Sequence, residues 1–189
     1  MDSNPKPIPP RPGPGALAAR TAEILRVDHA GELAAVQIYR GQQAVFAAAR
    51  GKHAVAADFA DLGRQEEAHL AAFEGLLGER GVRPSLLSPL WGAAGFALGA
   101  ATALIGEAAA HACTEAVESV IEQHYAGQVA ELQAVEPALA ERLDGYRNEE
   151  LAHHDKAIEA GAREAPGYGL LTAVIRAGCR AAIKTAERI

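Results

Sequence analysis

The sequence contains Gln65-Glu66-Glu67-Ala68-His69 and, closer to its C-terminus, Asn148-Glu149-Glu150-Leu151-Ala152-His153-His154. Both stretches include Glu-x-x-His, and on a helix this spacing places a carboxylate and an imidazole on one face, about one turn apart. One such match is weak evidence, because most Glu and His side chains on helices are solvated. Two matches at corresponding places in one chain predict a common site that both motifs form.

A further glutamate precedes each motif at a similar distance along the chain. Glu32 lies in the predicted helix before the first motif, and Glu118 lies in the predicted helix before the second. A helix with Glu followed by a helix with Glu-x-x-His therefore occurs twice, which is the arrangement of ferritin-like di-iron and di-manganese bundles. The predicted metal ligands are Glu32, Glu66, His69, Glu118, Glu150 and His153.

Helical periodicity places these glutamates among apolar side chains. Glu66 shares its helical face with Leu62 and Phe73. Glu150 shares its face with Leu143. Burial of four carboxylates without partners is strongly unfavourable, and two divalent cations would balance their charge. Oxygen-rich ligands with one imidazole per ion favour iron or manganese, and we expect two such ions per chain.

The neighbouring polar residues have other interpretations. Glu67 and Glu149 lie about 100° from the ligands around their helices, so we expect them to be solvated or to support a ligand. His154 can replace His153 as a metal ligand only if Glu150 pairs with the histidine four residues later. The second motif would then no longer match the Glu-x-x-His spacing of the first. Two further histidines have no counterpart in the repeat and are expected to be structural or exposed: His29 and His53.

Helical periodicity continues through almost the whole chain. Five predicted helical segments cover about 17–49, 54–79, 89–135, 137–161 and 170–187, with short connections that contain Gly or Pro. Short connections favour antiparallel neighbours. The predicted fold class is all-α, a ferritin-like four-helix bundle with an internal two-helix repeat, a long apolar third segment and an extra C-terminal helix. We expect one domain over 16–189, after a disordered Pro-rich tail over 1–15.

Composition and charge exclude several classes of protein. The 189 residues include 44 Ala but only four Phe and four Tyr, which favours close-packed helices over a β-sheet. The formal net charge of -6, without a run of Lys or Arg, argues against nucleic acid as a partner. Cys113 and Cys179 cannot form a disulfide framework and lie at no zinc-ligand spacing, which favours a reducing, intracellular setting.

Residues 84–106 contain no charged side chain and no histidine. The length of this stretch suggests a transmembrane helix, but Pro89 interrupts it, and its Ala and Gly content makes it only modestly hydrophobic. Three alternatives stay open: a helix in the membrane interface, a buried helix of the bundle, and a true membrane span. In the first alternative the anchors are Leu90, Trp91 and Phe96, because large apolar groups gain most by leaving water.

Four motifs occur in a fixed order along the chain. They are Val27-Asp28-His29-Ala30-Gly31-Glu32, Gln65-Glu66-Glu67-Ala68-His69-Leu70, Ala112-Cys113-Thr114-Glu115-Ala116-Val117-Glu118 with His124-Tyr125, and Arg147-Asn148-Glu149-Glu150-Leu151-Ala152-His153-His154-Asp155. This set resembles the demethoxyubiquinone hydroxylases of ubiquinone biosynthesis, over about residues 20–187. The resemblance implies that the six predicted ligands bind iron, with Glu66 and Glu150 as bridging carboxylates. It also associates His124 and Tyr125 with the substrate pocket or with electron delivery. By helical periodicity Tyr125 shares the face of Glu118 and His124 is turned away, and support of the ligands is the alternative role for either residue. Glu115 has no assigned role.

The resemblance implies a di-iron monooxygenase that acts on a polyprenyl methoxy-methyl benzoquinone or quinol. O2 is the co-substrate: one oxygen atom enters the ring and the other leaves as water, with electrons from an external donor such as NADH. A polyprenyl substrate resides in lipid, so we expect a peripheral protein at the cytoplasmic face of the cell membrane, without a signal or transit peptide. Other ubiquinone-biosynthesis proteins are candidate partners.

Two other functions are compatible with a helical bundle of this composition. A ferritin-like iron-storage protein or ferroxidase would need a soluble exterior and a cage-forming assembly, which the uncharged residues 84–106 disfavour. A purely structural protein at the membrane surface would hold no metal, and the repeated glutamate spacing argues against it. Metal analysis and detection of a hydroxylated quinone separate the three functions.

Overall fold

The structure, a computed structural model, describes residues 14–188, and these form six α-helices and no β-strand. The helices are α1 (Pro14–Ala48), α2 (His53–Glu79), α3 (Ser88–Ile105), α4 (Glu107–Leu132), α5 (Pro137–Glu159) and α6 (Tyr168–Ala186). The predicted all-α, ferritin-like bundle is confirmed. Most of the predicted Pro-rich tail lies outside the described residues, whereas its last two residues, Pro14 and Gly15, already belong to α1.

Two helical pairs form the bundle. Helix α1 packs along α2, and α4 packs along α5, so the two pairs are the two halves of the predicted repeat. Helix α3 lies mainly against α1, and α6 lies mainly against α4. The two added helices therefore flank the bundle and leave its four glutamate-bearing helices facing one another.

Apolar clusters fill the bundle on both sides of the Glu-x-x-His motifs. One cluster includes Phe59 and Leu62 of α2, and the other includes Phe73 of the same helix. Along α2 the polar Glu66 and His69 fall between these clusters. Each large buried side chain contributes about 1.5–3 kcal/mol to stability. The apolar clusters on both sides of Glu66 and His69 therefore stabilise the bundle around its polar centre.

The predicted third helix over 89–135 is wrong as a single element, because α3 and α4 are separate helices. They meet at Gly106, whose φ of 145° lies in a region that a residue with a Cβ rarely adopts. The absence of a side chain at this position permits the break. Helix α3 can therefore lie against α1 while α4 pairs with α5 in the bundle.

Glycines allow α1 and α3 to approach closely. A Cβ placed on Gly99 would lie 2.0 Å from the carbonyl oxygen of Ile38, and one on Gly95 would lie 2.5 Å from the carbonyl oxygen of Ala34. On the opposite side, a Cβ on Gly41 would lie 2.3 Å from the carbonyl oxygen of Phe96. The backbones of α1 and α3 therefore touch at positions where a larger residue does not fit.

Helix α3 is not a buried core helix. Among the described residues it is the one helix that is long and apolar enough, by length and composition alone, to cross a membrane, and 22% of it is buried. Two of the predicted anchors are exposed, Leu90 by 56% and Phe96 by 42%. The third, Trp91, is half-buried. The interfacial and spanning alternatives remain predictions.

Candidate metal centre

The six predicted ligands come together in the middle of the bundle. Helices α1 and α4 each contribute one glutamate, and α2 and α5 each contribute one Glu-x-x-His pair. All six side chains are buried: Glu32, Glu66, His69, Glu118, Glu150 and His153. They form two overlapping groups whose ligand atoms lie within 4.8 Å of one another and which share Glu66 and Glu150. The predicted set is therefore compatible with two metal positions.

The two shared carboxylates each face both imidazoles. Glu66 has one oxygen 2.9 Å from Nδ1 of His153 and the other 3.4 Å from Nδ1 of His69. Glu150 has one oxygen 3.1 Å from Nδ1 of His69 and the other 3.5 Å from Nδ1 of His153. Glu32 faces only the His69 group and Glu118 only the His153 group. This geometry fits two bridging and two terminal carboxylates.

The donor atoms that face the centre lack hydrogen-bond partners within residues 14–188. The unpartnered atoms are Oε2 of Glu32, both carboxylate oxygens of Glu66 and of Glu150, Oε2 of Glu118, and Nδ1 of His69 and of His153. Buried polar atoms in this condition are strongly destabilising unless an ion or another partner satisfies them. Six carboxylate oxygens and two imidazole nitrogens suit hard or borderline divalent cations such as iron or manganese. The residues present therefore fit a dinuclear metal centre.

Burial and neighbouring charges shift the pKa values of these groups in different directions. Burial raises the pKa of Glu32 and of Glu118 well above the ordinary value. For Glu66, interactions with the two imidazoles outweigh burial and lower the pKa to about 2. The surrounding carboxylates outweigh burial for both histidines, raise the pKa of His153 to about 9 and also raise the pKa of His69. The metal-free cluster therefore retains protons that a bound cation would displace.

Each terminal glutamate accepts a hydrogen bond from a buried tyrosine of the other half. The hydroxyl of Tyr125 on α4 donates to Glu32 on α1. The hydroxyl of Tyr39 on α1 donates to Glu118 on α4. Tyr125 is thus placed at the cluster, whereas sequence reasoning assigned no role to Tyr39. A detectable signal existed, because each tyrosine lies seven residues after the glutamate of its own helix.

His124 lies beside the cluster but not in it. Its Nε2 lies 3.3 Å from a carboxylate oxygen of Asp28 and 2.8 Å from Nε2 of Gln128. The amide of Gln128 also donates to Asp28 over 2.7 Å. Burial raises the pKa of Asp28, and His124 partly opposes this shift. The His124 side chain is 19% exposed, so it connects a buried carboxylate to the protein surface.

The remaining polar residues of the motifs occupy different places. Glu67 is exposed and pairs with Arg40 over 2.8 Å. Glu149 is also exposed, but it lies 2.7 Å from Nε2 of His69, in agreement with a supporting role. His154 belongs to neither metal group. Of the two histidines without a counterpart in the repeat, His29 is buried and His53 is exposed.

Glu115 has a structural partner that the sequence did not indicate. Its carboxylate accepts a hydrogen bond of 2.5 Å from Arg176 of α6, and Arg176 also donates to Ser119 over 3.1 Å. His154 of α5 lies 3.5 Å from the same carboxylate. Glu115 is buried, so this ion pair attaches the C-terminal helix to α4.

An apolar cavity of about 100 Å³ lies between α1, α3, α4 and α6. Its lining includes Gly31 of α1 and Val117 of α4, each the neighbour in sequence of a terminal glutamate. Trp91 of α3 and Cys179 of α6 line other walls. None of its lining residues is charged. The cavity therefore offers an apolar space next to the two helices that carry Glu32 and Glu118.

Comparison with known proteins gives matches over nearly the whole chain. A family model described as "Ubiquinone biosynthesis protein COQ7" matches residues 19–186. The 3-demethoxyubiquinol 3-hydroxylase of Rhodospirillum rubrum is 46% identical over 182 residues, which cover 96% of this chain and 83% of the relative. The mitochondrial NADPH-dependent 3-demethoxyubiquinone 3-hydroxylase of Mus musculus is 45% identical over 174 residues, 90% of this chain and 78% of the relative. The mitochondrial 5-demethoxyubiquinone hydroxylase of Saccharomyces cerevisiae is 43% identical over 191 residues, which cover 92% of this chain and 80% of the relative.

Proposed function

The chain belongs to the COQ7 family of ubiquinone biosynthesis proteins, and from this membership we propose that it is a di-iron monooxygenase. It hydroxylates the ring of a polyprenyl methoxy-methyl benzoquinone or of the corresponding quinol. One observation carries the proposal: the two overlapping groups of buried ligand atoms that share Glu66 and Glu150. A hydroxylase with this donor set needs a dinuclear metal centre to use O2.

The ligand set divides into one position for each ion. Glu32 and His69 would hold the first ion, Glu118 and His153 would hold the second, and the shared Glu66 and Glu150 would serve both. Iron held by these residues would supply the reduction of O2, in which one oxygen atom enters the substrate ring and the other leaves as water, with two electrons and two protons from an external donor. Iron is preferred to manganese because the relatives are named as hydroxylases.

The tyrosines hold the terminal ligands in place. Tyr39 and Tyr125 are fully buried, and each donates its hydroxyl proton to one carboxylate oxygen of a terminal glutamate. The other oxygen of each glutamate has no hydrogen-bond partner among residues 14–188 and faces the centre. Burial raises the pKa of both tyrosines well above the ordinary value, so both keep their protons and act as donors. The apolar clusters above and below exclude water from this arrangement.

The proposed entry route for the substrate follows the apolar surfaces near α1 and α4. The ring and the first part of the polyprenyl tail enter through the cavity lined by Gly31, Trp91 and Val117. The exposed apolar side chains of α3 then face lipid, where a polyprenyl substrate resides. We place the protein peripherally at the cytoplasmic face of the cell membrane, where other ubiquinone-biosynthesis proteins are available as partners.

The electron donor is a nicotinamide nucleotide in this proposal. Relatives from several organisms are named as NADPH-dependent, so NADPH joins NADH as a donor to be tested. His124 and Tyr125 suit a role in electron or proton delivery, because one reaches the surface and the other contacts Glu32.

Quinone profiling tests the proposed reaction. Cells that lack the protein should accumulate the demethoxy precursor, and the wild-type gene should restore the hydroxylated and methylated product. The purified protein, loaded with iron and given O2 and NADH or NADPH, should convert the precursor. Oxidation of free Fe(II) and mineral formation, without any hydroxylated quinone, would instead support the ferroxidase function.

A further inference from the structure

Both site imidazoles contact the opposite half of the repeat through the nitrogen that faces away from the centre. Nε2 of His69 lies 2.7 Å from a carboxylate oxygen of Glu149 on α5. Nε2 of His153 lies 3.1 Å from the amide oxygen of Gln65 on α2. Glu149 and Gln65 each directly precede the glutamate of their own Glu-x-x-His motif. The two contacts are therefore equivalent under the internal repeat, but one acceptor is a carboxylate and the other is a neutral amide.

We propose that Glu149 and Gln65 are positioning residues that make the two metal positions unequal, with tighter binding at the position that includes His69. This inference rests on the proposed di-iron function. An imidazole that binds a cation through Nδ1 carries its proton on Nε2, and an acceptor at Nε2 fixes both the tautomer and the ring orientation. Glu149 and Gln65 supply this acceptor for one ring each.

The charge of the acceptor distinguishes the two rings. A carboxylate forms a shorter and stronger hydrogen bond with an N–H donor than an amide oxygen does, and the distances of 2.7 Å and 3.1 Å follow this order. A stronger acceptor at Nε2 increases the electron density that the ring offers at Nδ1. His69 is therefore the stronger donor to a cation, although the two positions otherwise have the same ligand types.

The exposure of Glu149 separates this role from a role in folding. Its side chain is 57% exposed, whereas that of His69 is 3% exposed. Substitution of this exposed carboxylate by an amide of the same shape removes little packing and keeps a hydrogen-bond acceptor at Nε2 of His69. The effect of such a substitution should appear mainly in metal binding and in the spectra of the centre, while the stability of the metal-free protein changes little because Glu149 is largely exposed.

Stepwise metal binding by the full-length, metal-free protein tests the inference. Anaerobic titration of the wild type with Co(II), followed by its absorption spectrum, should give a tighter and a weaker step. Glu149→Gln makes both acceptors amides, and it should weaken the tighter step by about 10–100-fold. Gln65→Glu makes both acceptors carboxylates and should strengthen the weaker step. The matched control is Glu67→Gln, because Glu67 is exposed, precedes no motif glutamate and pairs with Arg40 instead.

Mössbauer spectra of the iron-loaded proteins provide a second readout that a purely structural role would not change. The wild type should show two distinct iron environments, and Glu149→Gln should bring their parameters closer together. Unchanged stepwise affinities and spectra in Glu149→Gln would overturn the inference, even if that variant retains two ions and hydroxylates the quinone. Failure of the wild type to bind iron or to hydroxylate the quinone would instead defeat the proposed function.

Discussion

At the residue scale, the side chains that support the candidate centre cross from one half of the repeat to the other. Tyr39 lies on the helix of Glu32 but donates to Glu118, and Tyr125 does the reverse. The contacts of His69 and His153 also cross between α2 and α5. Neither half can therefore orient its own ligands without the other. This reciprocity explains why the site requires both copies of a two-helix unit.

Loss of Glu150 should remove most of the bound iron. Glu150→Ala deletes a carboxylate that belongs to both ligand groups, so both positions lose a donor. The variant should still fold, because in the metal-free state the remaining carboxylates repel one another less. Iron content by plasma emission spectroscopy, together with circular dichroism, measures both effects. Glu159→Ala on the exposed face of the same helix is the control, and full iron occupancy in Glu150→Ala would exclude Glu150 from the site.

The stabilising effect of bound metal should increase with pH. The pKa values of Glu32, Glu118, His69 and His153 are all raised in the folded, metal-free protein. Groups with raised pKa values stabilise the folded state at low pH and lose this contribution as pH rises through the folded pKa. For His153 the loss falls between about pH 6.5 and pH 9. Metal binding displaces these protons, so the metal-loaded protein escapes the loss.

Melting temperatures of the metal-free and metal-loaded proteins test this expectation. The difference between them should widen from pH 6.5 to pH 9, and metal binding should release protons to the buffer. The lowered pKa of Glu66, about 2, acts in the opposite direction but only at much lower pH. A difference in melting temperature that stays constant over this interval would show that bound metal does not displace protons from these groups.

At the scale of helices, glycine determines how the chain departs from a simple four-helix bundle. Gly106 ends α3 and permits α4 to begin. Gly95 and Gly99 then allow α3 to lie in backbone contact with α1. At the other flank, the ion pair between the buried Glu115 and the partly exposed Arg176 attaches α6 to α4. The two added helices are therefore held by different physical means, close packing in one case and an ion pair in the other.

Gly99→Ala should destabilise the protein by about 1–3 kcal/mol, because its methyl group would overlap the carbonyl oxygen of Ile38 and force α3 away from α1. Gly75→Ala in α2 is the matched control. A Cβ there meets nothing within 4 Å, so alanine should be neutral or stabilise the helix by about 0.5–1 kcal/mol. Urea denaturation of both variants measures the difference. Equal stability of Gly99→Ala and the wild type would show that α3 does not pack in this way.

At the scale of the whole molecule, the flanking helices leave apolar side chains in contact with solvent. Leu90 and Phe96 of α3 are exposed, as are Leu170 and Val174 of α6. Exposed apolar residues in such numbers are typical of surfaces that meet lipid or another protein. Because α3 and α6 also form walls of the apolar cavity, the exposed surface and the proposed route for the substrate share the same two helices.

Replacement of Leu90 and Phe96 by Ser should weaken membrane binding. Full burial of each side chain contributes about 1.5–3 kcal/mol. Because Leu90 and Phe96 are each only about half exposed, the double variant should lose about half of this and bind liposomes about tenfold to a hundredfold more weakly. Turnover of a long-chain quinone should fall more than turnover of a short-chain analogue. Liposome flotation and a melting curve measure the two effects.

Leu151→Ser is the control for this experiment, because Leu151 is 43% exposed on α5, outside the flanking helices. Its flotation should match that of the wild type. Unchanged flotation of the Leu90 and Phe96 double variant would contradict the interfacial assignment of α3. A lowered melting temperature with loss of both activities would indicate instead that these residues serve packing.

The sequence alone determined the helical class and the family, and it predicted the ligand set. Helical periodicity and the repeated glutamates required a bundle in which Glu32, Glu66, Glu118 and Glu150 face one another, and the resemblance to demethoxyubiquinone hydroxylases is confirmed. The predicted ligands lie together in the structure, because a ligand and its motif partner lie about one helical turn apart. Spacings of this kind are local properties of the chain and can be read from residue order.

The tertiary structure alone decided which side chains meet across the bundle. The contacts of Tyr39 with Glu118, of Glu149 with His69 and of Arg176 with Glu115 join residues far apart in the chain. Their existence depends on how two helices are rotated and shifted against each other. The break at Gly106 was missed for a related reason. Glycine is tolerated within a helix, and only the packing of α3 on α1 and of α4 on α5 makes the interruption favourable.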